Sequence, residues 1–223
     1  MSRVLAAPLL LLLAPGCTSS GYQRASVTAE RTAAYHEQLV RLRDQVGLAT
    51  DALRALSDNP GDSPRSNQET FQTFALELEN LDRLAARARK LHGKVAGRAE
   101  DFFGHWNADT AGLTSAELKE SAETRRKALA ANYSKLEQGQ SGLEAALERY
   151  TKELQQLRLY LEHDLTAPGI ALARRSIQTA FVDGALLQDQ IEAQVALARR
   201  AAADLEPLKK LAPETPPRPR DGR

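Results

Sequence analysis

The chain has 223 residues, of which 26% are charged, 42% hydrophobic and only 5% aromatic. Few aromatics among many alanines, leucines, arginines and glutamates argue against a thick globular core and for long helices. Thirty lysines and arginines against 29 aspartates and glutamates leave a net charge of +1, which gives no electrostatic case for nucleic acid as a partner.

The first sixteen residues read as a processing segment. Arg3 supplies a positive start, and Val4 to Leu13 is an apolar run too short to span a bilayer but suited to a signal-peptide core. The following Leu13-Ala14-Pro15-Gly16-Cys17 resembles a bacterial lipobox, with Ala14 where leucine is usual. In a lipobox the cysteine is lipidated and becomes the new N-terminus. Cys17 is the only cysteine, so no intramolecular disulfide can form. The expectation is a lipoprotein held in the membrane through Cys17, since more than one acyl chain makes attachment stable. Thr18 stands where an aspartate would favour retention in the inner membrane, which points to the periplasmic face of the outer membrane. Residues 17–26 read as a short polar tether.

Residues 27–208 read as one helical domain. A first helix is expected from about Val27 to Ser57, where Tyr35, Leu39, Leu42, Val46, Ala49, Leu53 and Leu56 alternate steps of four and three. Asp58-Asn59-Pro60-Gly61-Asp62 ends it with turn formers and a proline. Ser66, with Glu69 three residues later, is expected to open the second helix. Its seam runs through Phe71, Phe74, Leu78, Leu81, Ala85 and Ala88, then Leu91, Val95, Ala99, Phe102 and Trp106. The step from Ala88 to Leu91 breaks the alternation, and Gly93 and Gly97 follow, so a bend or packing shift is expected there.

The third helix spans about Thr114 to Leu165. Thr114 and Glu117 have capping-box spacing, flanked by Leu113 and Leu118 as a hydrophobic staple. Ala122, Leu129, Leu136, Leu143, Tyr150 and Leu157 stand seven apart, and Tyr133, Leu147, Leu154 and Leu161 form a second row with Gln140 in its gap. Gly139-Gln140-Ser141-Gly142 is either a hinge or a simple irregularity. Thr166-Ala167-Pro168-Gly169 starts a fourth helix, whose seam is Ile170, Ala173, Ile177, Ala180, Gly184, Leu187, Ile191, Val195, Ala198 and Leu205. Residues 209–223 are polar and proline-rich and read as a disordered tail. Short connections make successive helices antiparallel. The fold class is therefore all-α: an elongated antiparallel helical bundle or coiled coil of about four long helices. One four-helix bundle and two hairpins sharing an end remain equal alternatives.

Catalytic motifs are missing. None of His36, His92, His105 and His163 has glutamate three residues before it or another histidine four away, and there is no HExxH, GxSxG or glycine-rich phosphate loop. Asp101, His105 and Asp109 share a helical face and are the only weak metal candidates; no cofactor is implied. Phe102, Phe103 and Trp106 form the densest aromatic cluster. They read as core at the end of a helix pair, or as a contact patch for a partner or a lipid surface.

Two segments carry a family resemblance. At Phe102-Phe103-Gly104-His105-Trp106, and from Leu157 to Ile170, the chain resembles a family of bacterial lipoproteins catalogued as domain of unknown function 2959. The resemblance covers about Tyr35 to Leu205. It implies an envelope-anchored helical protein and carries no catalytic residues with it. The expected function is non-enzymatic: a periplasmic module that binds another protein or a second copy of itself. The alternative is an envelope spacer or cell-wall contact, and a metal-dependent enzyme is the third class.

Overall fold

The computed structural model describes residues 20–58, 60, 61 and 63–211. It contains α1 (Gly21–Asp58), α2 (Pro64–Ala111), α3 (Ala116–His163), the short α4 (Ala167–Leu172) and α5 (Arg174–Lys209), with no strand among the described residues. At 48 residues each, α2 and α3 are rods of about 72 Å.

The heptad seams become the core, although in α2 Phe71, Leu91 and Trp106 are only half-buried against it. All seven predicted seam residues of α1 are buried. In α3 both rows are buried, apart from half-buried Ala122 at the start. The whole predicted seam from Ile170 to Leu205 is buried across α4 and α5. α1 packs against α2 and α5, and α3 against the same two helices. The four long helices therefore form one square bundle in the order α1, α2, α3, α5.

Cross-helix contacts fix the directions. Thr28 reaches the carbonyl of Arg98 and Gln38 that of Leu84, so α1 and α2 are antiparallel. Arg158 pairs with Glu79 while Phe103 packs on Tyr133, which reverses α3 against α2. Arg149 faces Asp183 and Asn132 bonds Asp204, which reverses α5 against α3. The topology is up-down-up-down with α1 and α3 parallel across the diagonal, which decides between one bundle and two hairpins in favour of one bundle.

Several boundaries differ from the sequence reading. α1 begins at Gly21, so most of the expected tether is helical; Ala25, Thr28, Ala29 and Thr32 are buried and hold that turn in place. α2 begins at Pro64, two residues before Ser66, as suits a residue that fits a helix's first turn. The cap of α3 is Ser115 rather than Thr114: its hydroxyl accepts from the Leu118 amide at 3.3 Å. Leu118 is 60% exposed, so no staple closes there. The fourth helix is two pieces. Thr166 caps α4 through the Gly169 amide at 3.1 Å, and the chain turns again at Ala173 before α5. Where Ala88 to Leu91 breaks the pattern of α2, the helix continues without interruption because His92 fills the seam position; it is 8% exposed, whereas Leu91 is only half-buried.

Candidate functional site

Two features of the bundle have chemistry to offer: a polar line through its core and a cavity at one end.

The polar line joins α1 to α3 across the diagonal. The Thr32 hydroxyl meets the Tyr133 hydroxyl at 3.1 Å, the Tyr35 hydroxyl donates to Gln140 Oε1 at 2.6 Å, and Thr50 meets Tyr150 at 2.7 Å. Gln140 in turn donates to Glu144 at 2.8 Å. The gap in the α3 seam is therefore filled by a buried amide with partners on both sides. Burial pushes the phenols of Tyr133 and Tyr150 up to about 12, against the bonds from Thr32 and Thr50, which favour the ionised form. Tyr35 is raised as well, by burial and by the negative charges of Glu144 and Glu137. All three are neutral hydroxyls near pH 7, suited to holding register. His92 stacks obliquely on Tyr35 with centroids 5.5 Å apart, and its Nε2 lies 3.2 Å from Glu137 Oε2. The sequence reading weighs His92 only as a metal ligand and gives its seam position to Leu91. The signal was present, since a histidine four residues after Ala88 and three before Val95 restores the alternation.

The cavity lies where α1 begins, beside the α2–α3 turn and the end of α5. Its volume is about 300 Å³. Phe102, Trp106 and Leu208 supply apolar walls, and Gly21 and Tyr22 bring the first turn of α1 to its edge. Arg24 and Asp109, both lining it, pair at 3.0 Å. The aromatic cluster stands behind this wall. Phe102 is buried and packs on Phe103 and Trp106 with centroids 5.0 and 5.5 Å away, while Phe103 meets Tyr133 edge-on at 5.5 Å. The three aromatics singled out in sequence thus sit together: Phe102 in the core, Phe103 and Trp106 half-buried, Trp106 on the cavity.

Asp101, His105 and Asp109 do not converge as a set of three. His105 Nδ1 lies 2.8 Å from the Asp101 carbonyl and 3.3 Å from its carboxylate Oδ1, while Asp109 faces Arg24. Among the described residues no group of three histidine, cysteine, aspartate or glutamate side chains could hold a metal ion. Nor is any described helix long and apolar enough to cross a membrane. Cys17 lies outside the described residues.

These features define an elongated all-α four-helix bundle with buried polar cross-ties and an apolar cavity at one end. The family model described as protein of unknown function, DUF2959, matches residues 18–205. The chain belongs to that family. No curated protein and no solved structure matches it.

Proposed function

We propose that this is a non-enzymatic lipoprotein of the bacterial cell envelope, anchored through Cys17 to the periplasmic face of the outer membrane, whose rod presents its outer surface to a protein partner or a second copy. The observation that carries the reading is the position of α1. Gly21 begins the helix four residues after Cys17, so a lipid on that cysteine stays within roughly 14 Å of the bundle end along the chain. The anchor would then fix which end of the rod faces the membrane: the α2–α3 turn lies near it, and the α3–α4 junction far away.

The partner surface follows from what the bundle leaves uncovered. The leucine seams close on one another, so they are not free to zip onto another chain. Leu172 on α4 is 79% exposed, and Val182 and Leu186, one turn apart on α5, are 60% and 49% exposed. These outer residues are the contact surface in this reading. The length of α2 and α3 favours a second reading, an envelope spacer or cell-wall contact. Removing matched heptads from all four helices separates the two, because a spacer loses function and a patch outside the deletion does not.

The test of the main reading is metabolic labelling. Radiolabelled palmitate should enter the wild-type protein and stay out of Cys17→Ser, and only the wild type should fractionate with outer membranes. A Cys17→Ser chain that takes up label, or that remains membrane-bound, defeats the proposal.

A further inference from the structure

We infer that the cavity at the start of α1 shelters one acyl chain of the molecule's own Cys17 when the protein is away from a bilayer. The inference rests on the lipidation reading above. Three observations support it. First, the cavity has the right division of surface: Phe102, Trp106 and Leu208 form an apolar interior, while the Arg24–Asp109 pair gives it a polar side. That layout suits a ligand with a hydrocarbon end and an ester head. Second, its volume of about 300 Å³ lies at the lower end of pockets that enclose small organic ligands. It has room for part of one chain, and not for several. Third, Gly21 itself borders the cavity, and only residues 18–20 separate it from Cys17. A chain on that cysteine is held at a local concentration in the millimolar range, as for partners joined by short linkers.

The aqueous state is the one in which this matters. In a bilayer the acyl chains are already out of water, so moving one into the cavity removes only the cavity's own walls from solvent and gains nothing for the chain. In water every methylene of an uncovered chain is exposed, and the cavity is the nearest apolar shelter. The bundle end would then act as a partial cover for its own anchor.

Trp106 makes the idea measurable, because it is the only tryptophan in the chain and lines the cavity. Cells are fed a photoactivatable palmitic acid analogue, and the lipidated full chain is purified and freed of detergent. It is then mixed with an isotope-labelled copy and irradiated. The expected product joins the N-terminal peptide to the peptide around Phe102 to Thr110 within one molecule. Adding phosphatidylethanolamine vesicles should abolish that product and shift Trp106 emission to longer wavelength. Crosslinks only between copies, with label on Cys17, overturn this inference and leave the lipidation reading standing. No label on Cys17 overturns both. As a further arm, the free analogue is offered to Cys17→Ser protein at equal total concentration. The tethered chain should label the cavity at least about tenfold more strongly. Equal labelling would mean that the cavity takes any loose fatty acid and that the tether plays no part.

Discussion

The hydroxyl of Tyr35 donates to Gln140 Oε1 at 2.6 Å, tying α1 to α3 through the middle of the bundle. Both residues are buried, Tyr35 completely. In the sequence Gln140 looks like a missing leucine, yet filling the gap would strand the phenol. Gln140→Leu should destabilise the fold by about 1–3 kcal/mol, the cost of a buried donor without a partner. Adding Tyr35→Phe to it should recover most of that loss, since the unmatched group is then gone. Urea denaturation of the single and double variants measures both effects. A double variant no more stable than Gln140→Leu would show that the loss comes from packing instead.

The other two diagonal phenols predict a pH dependence. Tyr133 and Tyr150 have pKa values of about 12 in the fold, against 10 in a free chain. Between those values the folded protein keeps protons that the unfolded chain has lost. Their contribution is complete below pH 10 and declines from there up to about pH 12. Each can steepen the loss of stability by up to about 1.4 kcal/mol per pH unit in that window. The variant carrying Tyr133→Phe and Tyr150→Phe should show a shallower decline from pH 9.5 to 11.5 in thermal melts followed by far-ultraviolet dichroism.

The glycines divide into two kinds. Around Gly93 and Gly97 nothing lies within 4 Å of an added Cβ, and both are inside α2. Gly93→Ala and Gly97→Ala should each stabilise by about 0.5–1 kcal/mol through helix propensity. At Gly184 an added Cβ would stand 3.1 Å from Thr50 Oγ1 and 3.1 Å from the Tyr150 ring. A larger side chain there must displace a hydrogen-bonded pair, so Gly184→Val should cost about 1–3 kcal/mol. Chemical denaturation of the three variants should give opposite signs for the α2 and α5 positions.

At the end of the rod away from α1's first turn, Asn67 joins two connections. It accepts from the Gly61 amide at 2.6 Å and donates to the Leu165 carbonyl at 2.7 Å, and it is 2% exposed. Asn67→Ala should cost about 2 kcal/mol, because two backbone groups lose their partner. Hydrogen exchange should speed up at Gly61, whose amide loses its acceptor, while amides in the middle of α3 stay protected.

What was legible in the sequence follows from what repeats. Leu136, Leu143, Tyr150 and Leu157 recur every seven residues, and a sevenfold recurrence of apolar side chains can be satisfied only by burying one stripe of a helix. That argument holds without knowing the neighbour, so the helices and their core faces could be read directly. The cross-ties could not. Gln140 shows only that the stripe is interrupted; that Tyr35 answers it depends on α1 lying diagonal to α3, which no local pattern encodes. The first turn of α1 was illegible for another reason. Ala25, Thr28 and Ala29 carry little apolar signal, although all three are buried in the fold. The aromatic trio was visible as a cluster, but the cavity was not, because Gly21 and Leu208 come to it from opposite ends of the chain.

Gly21 and Leu208 line the same cavity, so α1 begins and the neighbouring α5 ends at one pole of the bundle. A short glycine-serine bridge between the two ends would span little distance, and the Pro60–Gly61 connection offers a place to cut. The covalent starting point of the fold is in this sense interchangeable. A circularly permuted chain that opens at Gly61 should rebuild the same four helices, with its new ends released at the opposite pole.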